Sequence, residues 1–167
     1  MLVDLYSKKV FNMAFQFTGS YQESEDLTQD IFVKLYRSLD KFDFSRNFTA
    51  WLLTLAKNYL IDEYRRTKWE KRSRDDFEDH LPKLAGIDDP ERGMAEEENR
   101  KLLWSGLNRL PADIRMAVIL KEIQGKTYED VAGITGVPVG TVKSRINRGR
   151  LQLAQILKDA KERDHEL

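Results

Sequence analysis

Apolar residues recur along this chain at three- and four-residue intervals, and no run alternates apolar and polar positions for long enough to suggest a strand. The pattern predicts an all-α fold. Val3, Tyr6, Val10, Met13 and Phe17 mark a first helix over 2–17, which Thr18 and Gly19 end. Ser20 with Glu23 three residues later is a capping-box signature and opens a second helix over 21–39. Its core stripe is Leu27, Ile31 and Leu35, supported by Phe32, Tyr36 and Leu39, while Asp26, Gln29, Asp30, Val33, Lys34 and Arg37 lie off the stripe on a face that is by default solvated. DKFDFSRN, residues 40–47, breaks the repeat and leaves Phe42 and Phe44 in a loop. Aromatic rings there either tuck under the loop or offer a stacking platform for unpaired bases. A third helix follows over 48–72, with Phe48, Leu52, Leu55 and Tyr59 inward and Trp51 and Leu60 widening the stripe.

The repeat resumes near Glu96. A helix over 96–107 carries Leu102, Leu103, Trp104 and Leu107, and Leu110-Pro111 begins another whose buried side is Ile114, Ala117, Val118 and Leu120 or Ile123. The stretch from Lys126 to Leu151 then reads as a helix-turn-helix. Thr127 and Asp130 cap a short helix bearing Val131 and Ile134, Gly136 supplies the turn, and Pro138 takes the first position of a second helix running to about Leu151. With a helical rotation of about 100° per residue, Val139, Val142, Ile146, Gly149 and Leu153 share one arc and pack inward. Gly140, Lys143, Ser144, Asn147 and Arg148 share the opposite arc, with Thr141, Arg145 and Arg150 on its margins, and no acid occurs between Val139 and Arg150. A basic helix face is ordinarily a solvated surface. Here the turn glycine, the proline start and the small outward residues favour the DNA major groove, where Arg and Lys reach guanine edges and Asn and Ser bond bases or phosphates.

Composition adds a division of the chain. With 41% hydrophobic and 34% charged residues over 167 positions, this is the balance of a globular protein. No apolar run approaches the length that spans a bilayer, and no secretory signal is visible. The absence of cysteine excludes disulfides and thiolate metal sites and fits a reducing compartment. The formal net charge is zero, yet Lys57 to Arg74 holds seven basic residues against three acids, and Asp75 to Glu98 holds ten acids against Lys83 and Arg92. The basic stretch interleaves Tyr64 and Trp69 with its cations, a mixture suited to phosphate and stacking contacts. The acidic stretch, poor in apolar residues and containing Pro82, Gly86, Pro90 and Gly93, reads as a linker over 73–95 between domains at 1–72 and 96–167.

Taken together, these segments resemble a group IV, or extracytoplasmic function (ECF), sigma factor of the sigma-70 family. SEDLTQDIFVKLYRSLDKF, Ser24 to Phe42, is similar to region 2.2, and FTAWLLTLAKNYLIDEYRR, Phe48 to Arg66, to regions 2.3 and 2.4. Leu107 to Leu151 resembles region 4. The resemblance implies a cytoplasmic protein without cofactor or metal, whose partners are core RNA polymerase, through the beta-prime clamp helices and the beta flap, promoter DNA, and an anti-sigma factor. It implies that Asp26, Gln29, Asp30 and Lys34 dock on polymerase. It places Phe42, Phe44 and Phe48 around a flipped base of the minus-10 element, with Asn58 reading that base and Arg65, Arg66 and Lys68 holding the adjacent strand. In the minus-35 element it places Thr141, Lys143, Ser144, Arg145, Asn147 and Arg148, joined by Lys121 from the preceding helix. It also gives the acidic linker a path through the basic RNA exit region of polymerase. The family pattern departs at Thr49, where a basic residue is common, and in one further helix ahead of Leu2, while Asn147 stands in a variable groove-facing position; Leu151 also points outward on the recognition helix.

Three other readings compete, one of them a pure interaction module whose helices serve only a partner such as an anti-sigma factor. A stand-alone LuxR-like regulator uses the same helix-turn-helix without polymerase, but leaves the aromatic loop and the basic Tyr/Trp stretch without a purpose. An enzyme finds little footing: His80 and His165 are isolated, GTVKS at 140–144 lacks the phosphate-loop pattern, and Glu96, Glu97 and Glu98 are splayed around a helix start.

Overall fold

Seven α-helices account for nearly all of residues 1–73 and 94–166, which the computed structural model describes, with side chains for residues 1–68 and 96–166. No strand occurs among the described residues. The acidic stretch on which the domain division was predicted, residues 74–93, lies outside them.

Helix α1, Leu2–Thr18, ends on Gly19, whose φ of 71° is left-handed and whose N–H donates to the Phe15 carbonyl at 2.8 Å. Helix α2, Tyr21–Ser38, starts where the sequence placed it, with the Glu23 N–H donating to the Ser20 hydroxyl at 3.2 Å. The reciprocal half of the capping box is made differently. The Ser20 N–H donates to the Thr18 hydroxyl at 3.2 Å, so Thr18 takes the part expected of Glu23. A 3-10 turn, Leu39–Lys41, tightens the exit from α2. Ile31, Phe32 and Leu35 are buried as the stripe required, but Tyr36 is half exposed, because it falls at the edge of the apolar arc.

Helix α3, Phe48–Ser73, opens on Asn47, whose side-chain oxygen accepts from the Ala50 N–H at 3.0 Å. It lies against both α1 and α2, burying Leu52, Leu53, Ala56, Leu60 and Ile61. The C-terminal helices are α4, Met94–Arg109; α5, Ala112–Val118, which continues through a π-helical turn at Ile119–Ile123; α6, Tyr128–Thr135; and α7, Val139–His165. The cap of α6 is as read, the Asp130 N–H donating to the Thr127 hydroxyl at 3.1 Å, and Gly136 makes the turn at a φ of 70°. Two details of the second helix differ. Pro138 is its N-cap rather than its first residue, with ψ at 151°, and the helix continues past Leu151 to His165 because no breaker intervenes and Leu153 still has a core to enter.

Gly149 explains how α7 comes close to α5. A Cβ at this position would run into Val118 and approach the Ile114 Cγ2 to 3.0 Å, so the side chains of α5 fill the space that any larger residue would need. Leu107, Leu110, Ile114, Val118 and Leu153 form a small cluster here, with Trp104 packed against it.

The main core is continuous from the N-terminal to the C-terminal helices. Val10, Met13, Phe17, Ile31, Leu35, Leu52, Ala56 and Leu60 belong to the same buried cluster as Met116, Ile119, Leu120, Val131, Ile134, Val142 and Ile146. Helix α6 packs on α3, and α5 touches α3.

Candidate nucleic-acid interface

The helix-turn-helix displays its two arcs as the periodicity required. Val142, Ile146, Gly149 and Leu153 are buried, Val139 is half-buried, and Gly140, Lys143, Asn147, Arg148 and Arg150 are exposed. Thr141, Ser144 and Arg145 lie on the margins at intermediate exposure. The Arg148 guanidinium donates to the Ser144 hydroxyl at 3.3 Å, one turn back, which aims both along the exposed face. Arg150 is turned away from that face by Glu122, whose carboxylate accepts from its Nε at 2.7 Å. This ion pair holds the arginine charged, raising its pKa.

Tyr128, the first residue of α6, was not singled out by the sequence. The Lys121 ammonium stands 4.8 Å from its ring centroid and the Lys143 ammonium 5.4 Å, so one ring gathers two cations from separate elements. The sequence offers only a faint signal for this, an aromatic residue directly after a helix cap.

The N-terminal half presents a second constellation. Phe42 is buried, with ring centroids at 5.3 Å from Phe48 and 4.8 Å from Trp51, whereas Phe44 is 82% exposed and meets Phe42 edge-on at 5.2 Å. The open choice between tucking and stacking thus divides between the two rings: Phe42 tucks under the loop and Phe44 stands on top. The loop between them is pinned by Asp43, whose carboxylate accepts from the Ser45 N–H at 3.0 Å and hydroxyl at 2.7 Å. Those bonds hold the Asp43 carboxyl below the usual carboxylate range. Asn58 is exposed on α3, and its side-chain oxygen accepts from the neighbouring Lys57 ammonium.

The basic end of α3 is occupied. Arg65 donates to Asp113 of α5 at 2.9 Å, Arg66 donates to Glu63 at 2.7 Å, and the Lys68 ammonium lies 5.8 Å from the Tyr64 ring. Lys57 is partly desolvated, which lowers its pKa, and it feels Asp113 and Arg145 of the C-terminal helices as well as Asp62 and Arg65 of its own.

On α2, Asp26, Gln29, Asp30 and Lys34 are all exposed. Two of them are tied to α3 through Tyr59, another residue the periodicity assigned only to the core. Its hydroxyl donates to Asp30 at 3.0 Å, and the Lys34 ammonium lies 5.4 Å from its ring.

The described residues therefore carry a helix-turn-helix with a basic outer face, an aromatic loop beside a basic helix, and an exposed polar face on α2. Residues 2–70 match the family Sigma-70 region 2, and residues 100–153 match Sigma-70, region 4. The RNA polymerase sigma-H factor of Pseudomonas aeruginosa is 36% identical over 158 residues, covering 90% of this chain and 81% of that protein. The ECF RNA polymerase sigma-E factor of Escherichia coli K12 is 37% identical over 157 residues, with the same 90% and 81% covered. Among solved structures, the sigma factor RpoE in complex with the anti-sigma factor NepR from Bartonella quintana superposes with a TM-score of 0.74 at 29% identity, covering 93% of this chain and 94% of that one. The chain belongs to the sigma-70 family, within its ECF group, and is a sigma factor: it binds core RNA polymerase and directs initiation at promoters. The LuxR-like alternative is set aside, because a stand-alone regulator does not account for the region 2 match across residues 2–70. The family consists of initiation factors rather than enzymes. Among the described residues, no helix is long and apolar enough to cross a membrane.

Proposed function

We propose that this sigma factor reads its promoter with two separate surfaces, the exposed face of α7 on the minus-35 duplex and the aromatic loop with α3 on the unpaired minus-10 strand. The observation that carries the first surface is the exposed row Lys143, Asn147 and Arg148, which Tyr128 extends by drawing Lys121 alongside Lys143. Arg148, Asn147 and Lys143 reach base edges, and Thr141, Ser144 and Arg145 contact the phosphates that flank them. In the second surface Phe44 stacks on an extruded base, Phe42 and Phe48 support that ring from below, and Asn58 bonds the base edge. Arg65, Arg66 and Lys68 hold the strand that follows. Asp26, Gln29, Asp30 and Lys34 face polymerase, and the acidic linker over 73–95 connects domains at 1–72 and 96–167. An anti-sigma factor regulates the protein, as NepR binds its structural relative. It works in the cytoplasm and catalyses no bond change of its own.

The test is Arg148→Ala in quantitative binding to minus-35 duplexes. A base contact predicts a loss of about 1–3 kcal/mol on the preferred sequence and a flattened preference at one position. An equal loss on every duplex would contradict base reading and make Arg148 a phosphate contact.

A further inference from the structure

Phe44 is a large apolar ring left 82% exposed, yet the backbone that carries it is anchored on both sides. Before it, Phe42 is buried against Trp51 and Phe48. After it, Asn47 caps α3 by accepting from the Ala50 N–H. Between these anchors residues 43–46 form a β-turn, closed by the Arg46 N–H donating to the Asp43 carbonyl at 2.9 Å. Phe44 takes the second position of that turn, at its corner.

The Asp43 side chain closes the same turn again. Its Oδ1 accepts from the Ser45 N–H at 3.0 Å and from the Ser45 hydroxyl at 2.7 Å, and its Oδ2 lies 3.7 Å from the Arg46 Nε. One carboxylate thus ties together the residues on either side of Phe44. The backbone bond alone would hold the turn weakly, since water competes for both partners at an exposed site and the net gain from one hydrogen bond is small. The core does not call for this order, because Phe42 has its own anchors in Phe48 and Trp51. Order at an exposed ring serves a ligand that stacks on it: the freedom of the ring is then lost on folding rather than on binding.

We propose that Asp43 is a positioning residue for strand capture, touching no base itself but holding Phe44 at the corner of the turn, where an unpaired base stacks on it. This rests on the reading of Phe44 as the stacking ring. A loose turn would present the ring only part of the time, and the apparent affinity falls by that fraction. The negative charge of Asp43 beside a polyanionic strand is itself unfavourable and is offset by Arg46, so the oxygen acceptor, not the charge, is what the turn needs.

The test uses the full-length protein and a fluorescent single-stranded oligodeoxynucleotide carrying the minus-10 motif of a promoter that it transcribes with polymerase. Asp43→Ala and Asp43→Asn remove the same charge, but only Asn keeps an oxygen for Ser45. Asp43→Ala should bind about five- to tenfold more weakly, as expected when the ring is in position in one molecule out of about five to ten, while Asp43→Asn stays within about twofold of the wild type. In a Phe44→Ala background Asp43→Ala should cause no further loss, because a residue that acts only through the ring has nothing left to position. In the free protein the NMR order parameter of the Phe44 N–H should be near that of rigid backbone, about 0.85, fall below about 0.6 in Asp43→Ala and stay high in Asp43→Asn. Residues 43–46 are all exposed, so thermal melts of these variants should coincide with the wild type. Ala and Asn variants that bind alike, a turn that stays rigid in Asp43→Ala, or a further loss in the Phe44→Ala background would each overturn the positioning role. A weakened Phe44→Ala beside an unweakened Asp43→Ala overturns that role alone, whereas Phe44→Ala that binds as the wild type does overturns the stacking reading and the proposal with it.

Discussion

The Tyr59 hydroxyl of α3 donates to the Asp30 carboxylate of α2 at 3.0 Å, under a ring that also faces Lys34. Desolvation, then the bond to Asp30, pushes the Tyr59 pKa up to about 12 from an ordinary 10.0. The neutral phenol is therefore favoured in the folded state. Its contribution to stability is complete below pH 10.0, the unfolded value, and is lost as the pH rises towards about 12. Tyr59→Phe removes one hydrogen bond, and chemical denaturation should show a loss of about 0.5–1.5 kcal/mol at neutral pH. The ultraviolet phenolate titration of the wild type should contain a late component near pH 12 that the variant lacks. If the component that the variant lacks titrates near 10.0 instead, the bond is refuted.

Tyr128 holds Lys121 and Lys143 over one ring. An exposed cation–π contact is worth about 0.5–1 kcal/mol, so Tyr128→Leu should weaken minus-35 duplex binding by about two- to fivefold, whereas Tyr128→Phe keeps the ring face and most of the affinity. Fluorescence anisotropy with labelled duplex distinguishes the two. If Phe fails as Leu does, the hydroxyl rather than the ring matters.

Phe44 and Phe42 lie two positions apart and should respond to substitution in opposite ways. Phe44→Ala removes a ring that is 82% exposed, so stability should change by less than about 0.5 kcal/mol while capture of the unpaired strand loses about 1–3 kcal/mol. Phe42→Ala empties a buried site and should cost about 3–5 kcal/mol of stability. Thermal melts beside single-strand binding test the pair. Normal strand binding by Phe44→Ala would remove it from the base pocket.

Most of the helical framework was legible because its signals are local. Ser20, Thr127 and Gly136 act on backbone groups within a few residues, and the arc of Val142, Ile146, Gly149 and Leu153 follows from rotation about one axis. The errors share a cause. Thr18 replaced Glu23 in the cap, and α7 outran Leu151, because tertiary packing chose between options that were locally equivalent. The long-range contacts were not legible at all. Arg115 and Phe17 are separated by 98 residues, and Arg65 and Asp113 by 48, with no periodic or capping signal to connect them. In the candidate interface, the sequence found the charged residues on the exposed arc but missed Tyr128 and Tyr59, rings whose position is set by partners on other helices.

The measurement closest to the central claim is transcription by core RNA polymerase on a pool of random promoter fragments, with and without this protein. The two-surface account predicts transcripts only when the protein is present, from fragments that share two motifs at a fixed spacing. Enrichment of a single motif, or initiation without preference among fragments, would contradict it.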